Sequence, residues 1–304
     1  MAFSSLRSLM GASSGGGGGG GGNPYAIFGF GIAASNVSLT NLVSSSGVVA
    51  TDTTGVGTAR TGLAAAGYGA DKAIFGYGYG SSRVSLTNLV SSSGVVATDT
   101  TGVGTARDSL AGAGYGADKA IFGFGNSGSV SSLTNLVSSS GVVATDTTGV
   151  GTARSYLAAA RYGSDKAIFG YGYTASNVSL TNLVSSSGVV ATDTTGVGTA
   201  RSELAAAGYG TDKAIFGYGY TASAVSLTNL VSSSGVVATD TTGVGTARRS
   251  LAAAGYGTDK AIFGYGNAAP ISSLTNLVSS SGVVATDTTG VGTARRNLAA
   301  TSYG

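Results

Sequence analysis

A 23-residue phrase, Ser-Leu-Thr-Asn-Leu-Val-Ser-Ser-Ser-Gly-Val-Val-Ala-Thr-Asp-Thr-Thr-Gly-Val-Gly-Thr-Ala-Arg, occurs six times in this chain without a change. It begins at Ser38, Ser85, Ser132, Ser179, Ser226 and Ser273, so each copy follows the last by 47 residues. Residues 23–304 are six whole units of that length, and residues 1–22 stand outside the repeat. A period of 20–50 residues belongs to solenoids, propellers and arrays, in which one unit cannot bury its apolar face without a neighbour. The phase of the ends separates these. The first unit opens at Asn23-Pro24-Tyr25-Ala26-Ile27-Phe28, in phase with Ala70 to Phe75, and the last stops at Leu298 to Gly304, in phase with Leu63 to Gly69. Those two segments are adjacent everywhere else. An open solenoid needs atypical caps on its ends, whereas a ring joins the two halves into one unit, so a ring is expected.

Within a unit, Leu63 to Gly69 is rich in alanine but holds two glycines, which favours a short strand over a helix. Lys72 to Tyr79, aromatic and β-branched, reads as a second strand, and Val84 to Leu89 as a third. Ser91-Ser92-Ser93-Gly94 reads as a turn and Val95 to Thr98 as a fourth strand. The expected fold is all-β: a six-bladed β-propeller of four-stranded antiparallel blades, closed by pairing of the N- and C-terminal strands, with the Ala/Gly strand innermost.

The run from Arg60 through Leu63-Ala64-Ala65-Ala66-Gly67-Tyr68-Gly69-Ala70-Asp71-Lys72-Ala73-Ile74-Phe75-Gly76-Tyr77-Gly78 resembles a kelch repeat, which has an arginine before its first strand and a hydrophobic strand ending in a double glycine. The resemblance spans all six units. Here an aromatic splits the double glycine, and the family's fourth-strand tryptophan is missing. The phrases Asp-Lys-Ala-Ile-Phe-Gly-Tyr-Gly and Thr-Gly-Val-Gly-Thr-Ala-Arg are also similar to repeat proteins encoded by tailed bacteriophages of aquatic environments. That resemblance implies a virion or extracellular location.

The copies differ mainly in two windows. One follows the repeated arginine, from Thr61-Gly62 through Asp108-Ser109, Ser155-Tyr156, Ser202-Glu203 and Arg249-Ser250 to Arg296-Asn297. The other follows the second strand, beginning at Ile32, Tyr79, Asn126, Tyr173, Tyr220 and Asn267. In a four-stranded meander both windows emerge at one face, and the unvarying Ser-Ser-Ser-Gly turns at the other. Loops drift because they tolerate change, yet the serine turn is also a loop and has not drifted. The expected binding residues are Thr61, Tyr79, Arg83, Asp108, Asn126, Tyr156, Tyr173, Asn177, Glu203, Tyr220, Arg249, Asn267 and Arg296, with Tyr79, Tyr173 and Tyr220 placed to stack on a sugar ring.

Composition narrows the chemistry. Histidine, cysteine and tryptophan are absent and 10% of residues are charged, which leaves no imidazole base, thiol nucleophile or Cys/His zinc site. The repeated Asp (Asp52 to Asp287) and Arg (Arg60 to Arg295) cancel in charge, as do five Asp-Lys pairs from Asp71-Lys72 to Asp259-Lys260. The residual charge of +3 is no nucleic-acid footprint. These repeated ions read as contacts between units, and Thr-Asp-Thr-Thr-Gly lacks the oxygen density of a calcium loop. Gly29-Phe30-Gly31-Ile32-Ala33-Ala34 has the form of a dinucleotide fingerprint, but no helix is expected after it. No enzyme activity, cofactor, metal, nucleic-acid partner or membrane span is expected.

In residues 1–22, Phe3, Leu6, Leu9 and Met10 fall at roughly helical spacing, and Gly15 to Gly22 follow as a tether spanning about 15 Å on average. The expected organisation is an N-terminal anchor peptide and poly-Gly tether (1–22), joined to the propeller (23–304). The anchor's expected partner is a larger assembly, a virion, and the variable face's partner is a host glycan or surface receptor. Two other readings stay open: a glycan-binding lectin outside any virus, and a structural spacer whose face binds nothing.

Overall fold

Lys-Ala-Ile-Phe-Gly recurs as a strand in every unit after the first, apolar on both faces and buried along almost its whole length. The computed structural model describes residues 24–304, and these are all-β, without a helix. Strands run β1 (Tyr25–Gly29), β2 (Thr40–Val43), β3 (Ala64–Tyr68), β4 (Lys72–Gly76) and β5 (Thr87–Val90). The same triplet continues as β6 (Ala111–Tyr115), β7 (Lys119–Gly123), β8 (Thr134–Val137), β9 (Ala158–Tyr162), β10 (Lys166–Gly170) and β11 (Thr181–Val184). It then gives β12 (Ala205–Tyr209), β13 (Lys213–Gly217), β14 (Thr228–Val231), β15 (Ala252–Tyr256), β16 (Lys260–Gly264), β17 (Thr275–Val278) and β18 (Ala299–Tyr303).

They form six antiparallel three-stranded sheets, each with the Ala-Ile-Phe-Gly strand in the middle. Five are consecutive triplets such as β3-β4-β5; the sixth is β18-β1-β2, in which Tyr25 faces Tyr303 and Gly29 faces Ala299. The first and last described strands therefore share a sheet. The Ala/Gly strands β3, β6, β9, β12, β15 and β18 each lie against the next, and β18 lies against β3.

Three expectations are corrected, the first being the third strand, which spans Thr87–Val90 and not Val84 to Leu89. The second strand stops at Gly76, not Tyr79, because Tyr77 (φ 64°) and Gly78 (φ 108°) turn the backbone into the left-handed region. The sheets are three-stranded, not four. Val95 to Thr98 makes no continuous strand: Val96 bridges Val90 and Thr100 bridges Thr87, so four steps on one side face three on the other. That is a bulge, which interrupts a ladder. The Asn88 side chain fills the gap, donating from Nδ2 to the Ala97 carbonyl at 3.0 Å and to Asp99 at 2.9 Å.

The core lies between sheets. Each cluster takes one face of a sheet and the opposing face of the next, as Ala64, Ala66, Ile74 and Tyr77 pack on Leu110, Phe122 and Val137. Phe122 leans edge-on against Tyr77 with ring centroids 5.5 Å apart, and equivalent pairs recur at every junction, through Tyr265–Phe28. Close approach demands glycine at Gly76, where a Cβ would stand 2.9 Å from the Phe122 ring.

The repeated Arg and Asp join these junctions. Arg60 is fully buried, its guanidinium lying 4.4 Å from the Phe30 ring centroid of the preceding sheet. It donates to the Tyr77 carbonyl at 2.7 Å, the Thr58 carbonyl at 3.0 Å and Asn88 Oδ1 at 2.5 Å, and Asp99 lies 3.6 Å away. Burial pulls the Arg60 guanidinium down to about 10, which still leaves it charged at neutral pH. Burial also pushes the Asp99 carboxyl upward, but hydrogen bonds from Thr58 and Asn88 and the charge of Arg60 outweigh it, holding it below the ordinary carboxylate value.

Candidate functional site

The register places both variable windows at one end of the sheets. Beyond Ala64 and Gly76, which face each other, the backbones of Thr61 and Tyr79 exchange hydrogen bonds of 3.0 and 2.8 Å. Asp108–Asn126, Ser155–Tyr173, Ser202–Tyr220, Arg249–Asn267 and Arg296–Ile32 do the same. The first variable residue after each arginine thus pairs with the first residue of the other window. The Gly69-Ala70-Asp71 turn and the Ser-Ser-Ser-Gly turns lie at the opposite end, where Gly141 packs on the Tyr68 ring.

The expected binding residues divide by environment. Tyr79, Tyr156 and Tyr173 are 40%, 39% and 41% exposed, whereas Tyr220 is half-buried under the Arg249 guanidinium, 4.5 Å from its ring centroid. Several of the others bond one another between neighbouring sheets. Arg83 Nε meets Asp108 Oδ1 at 2.6 Å, and Arg249 meets Glu203 at 3.2 Å while Ser250 donates to the other Glu203 oxygen. Asn177 donates to the carbonyls of Tyr220 and Thr221, each at 3.0 Å. Asn126 and Asn267 accept from backbone N–H groups two residues on, stabilising their own turns. Thr61 donates to the Asn297 carbonyl at 3.3 Å. For the Arg296 side chain the structure gives no partner among the described residues. Phe3, Leu6, Leu9 and Met10 lie outside the described residues.

One arrangement here takes in only two of the expected binding residues. The second variable residues, Gly62, Ser109, Tyr156, Glu203, Ser250 and Asn297, form a cycle. Ser109 N donates to the Gly62 carbonyl, Tyr156 to Ser109, Glu203 to Tyr156, Ser250 to Glu203 and Asn297 to Ser250, and Gly62 N returns to the Asn297 carbonyl, all at 2.7–2.9 Å. All six take a left-handed backbone, with φ between 51° and 61°. They surround a shallow depression of about 80 Å³ whose floor is Leu63, Leu110, Leu157, Leu204, Leu251 and Leu298. Tyr156 and Glu203 are among the expected binding residues, whereas Ser109, Ser250 and Asn297 are not. Their common signal is position: each is the second residue after the repeated arginine.

A larger cavity, about 790 Å³, runs among the Ala/Gly strands towards the other end, where Asp118, Asp165, Asp212 and Asp259 line it with Lys119, Lys213 and Lys260. Arg161 also lines it, donating to the Gly116 carbonyl at 2.9 Å and to the Ser164 carbonyl. Burial holds this guanidinium below its ordinary value. Among the described residues no group of three or more Asp, Glu, His or Cys is placed to hold a metal ion, and no helix is long and apolar enough to cross a membrane.

No model of a known protein family matches the chain, and no curated protein sequence matches it either.

Proposed function

We propose that the chain is a non-enzymatic display or adhesion protein of a virion, a closed six-bladed β-propeller presenting its variable end to a host surface or glycan. One observation carries this reading: the differences among otherwise near-identical units gather at one end, where backbone bridges hold the two windows together and three tyrosines face solvent. Exposed tyrosine supplies broad, rigid contact area with a polar tip at low entropic cost. The kelch-like run and the phrases similar to phage repeat proteins support the propeller and the virion respectively. Residues 1–22 are the proposed attachment to the larger particle.

A second reading has its own observation. Arg83–Asp108 and Glu203–Arg249 satisfy each other within the chain, as they would in a structural spacer whose variable residues serve only to join units. A chain whose windows are all replaced by Thr61-Gly62 and Tyr79 to Arg83 separates the two. Under the display reading it folds but no longer binds host cells or a glycan array. If it binds as the parent chain does, or if the parent binds nothing, the display reading fails. Recovery of the chain in purified phage particles tests the virion assignment, and binding without such recovery favours a lectin outside any virus.

A further inference from the structure

Resting on the reading of the variable end as a binding face, we propose that the leucine-floored depression is a carbohydrate subsite. Tyr156 stacks on one face of a pyranose ring, and Glu203 and Asn297 hydrogen-bond its hydroxyls.

Convergence is the first observation. At other variable positions the contacts run pairwise between neighbouring sheets, as Arg83–Asp108 and Asn177–Tyr220 do. Only the second residues after the arginines meet at one place, around a floor of six leucines.

Backbone conformation is the second. Left-handed φ is sterically unfavourable for any residue with a Cβ, and residues held there without a packing reason gather at functional sites. Gly62 shows that glycine is accommodated in this cycle, yet the other five units carry Ser, Tyr, Glu, Ser and Asn. Elsewhere the same conformation has a local account: Phe30, Tyr77, Phe124, Tyr171, Tyr218 and Tyr265 are fully buried between sheets, and Ala70, Ser164, Thr258 and Ala269 sit in exposed turns and bends. Tyr156, an aromatic side chain 39% exposed, is not held by burial.

The side chains supply the rest. Glu203 is fixed by Arg249 and Ser250. Its charge is offset by the arginine, so it offers an oriented acceptor for hydroxyl groups rather than a site for a cation. The Asn297 side-chain amide makes no hydrogen bond among the described residues and offers both a donor and an acceptor. A tyrosine face beside an arginine-paired carboxylate and across the cycle from a free amide matches the alternating apolar faces and hydroxyl rim of a sugar. The depression, about 80 Å³, takes one face of a ring and leaves the rest in solvent.

The test is saturation-transfer NMR on the full chain with galactose, glucose and N-acetylglucosamine, each as a separate probe, alongside a host-cell binding assay. Wild type is expected to show transfer from at least one sugar. Tyr156→Gly should weaken that binding about tenfold or more, and its denaturation midpoint should stay the same or rise because the left-handed backbone is relieved. Asn297→Gly should weaken binding in the same way. Val95→Ser, exposed beside the serine turn at the opposite end, should leave sugar binding within about twofold. If Tyr156→Gly binds sugar normally while Tyr79→Ala or Tyr173→Ala does not, the subsite is overturned and the binding face stands. Cell binding without transfer from any sugar has the same consequence. Neither cell nor sugar binding by wild type would overturn both.

Discussion

Arg295 donates from Nη2 to Asn41 Oδ1 at 2.6 Å, although the two residues are 254 positions apart. Arg60 makes the same bond to Asn88 at 2.5 Å across 28 positions. The junction between the ends of the described chain thus repeats the interior junctions atom for atom, with Asp52 beside Arg295 where Asp99 stands beside Arg60.

Equal junctions should cost the same to break. Arg295→Met and Arg60→Met each leave a buried asparagine oxygen without its donor and a carboxylate without the charge beside it, and each should destabilise by about 3 kcal/mol. Urea unfolding of the two variants checks this. A much smaller loss at Arg295 would mean that the ends separate before the rest unfolds.

The six aspartates of the junctions set the acid limit. Asp52, Asp99, Asp146, Asp193, Asp240 and Asp287 are all held below the ordinary carboxylate value: burial opposes this, and hydrogen bonds from Thr and Asn together with the nearby Arg outweigh burial. Their depressed folded values stabilise fully above the unfolded-state pKa of about 3.9 and lose that contribution as pH falls through the folded values. Stability should therefore be flat near neutrality and fall steeply below about pH 4. Asp99→Asn should make the fall shallower. Unfolding midpoints measured from pH 7 to pH 2 decide it.

The backbone cycle predicts opposite signs for opposite exchanges. Gly62→Ala places a Cβ on a backbone at φ 61° and should destabilise by about 1 kcal/mol or more. Ser109→Gly, at φ 54°, should stabilise by up to about 1 kcal/mol. Thermal midpoints moving in the same direction would contradict the left-handed conformation.

Close packing across a junction predicts a compensated pair. Gly76→Ala drives a methyl into the Phe122 ring and should cost about 1–3 kcal/mol. Adding Phe122→Leu should recover part of that loss, because the smaller side chain vacates the contact. Stability of the single and double variants measures the coupling.

Much of the fold is legible in the order of residues. The 47-residue period, the β-rich unit and the sharing of one unit between the two ends follow from phase, and β1 does pair with β18. Arg60 and Asp99, expected as contacts between units, lie 3.6 Å apart at a junction. The clustering of variable windows at one end follows from strand order, and the Thr61–Tyr79 bridge makes it concrete.

Local order in the chain, multiplied six times, determined the repeat, the strands and the turns between them. Relationships between units were decided only in three dimensions. Whether Val96 to Thr100 extended the ladder depended on a one-residue bulge filled by the side chain of Asn88, and propensity carries no record of a partner's register. The pairing of Arg83 with Asp108, the covering of Tyr220 by Arg249 and the cycle through Gly62, Tyr156 and Asn297 depend on side chains and carbonyls contributed by different sheets. The repeated phrase says what each unit is, and the packing of sheet against sheet determines which of the few differing residues meet.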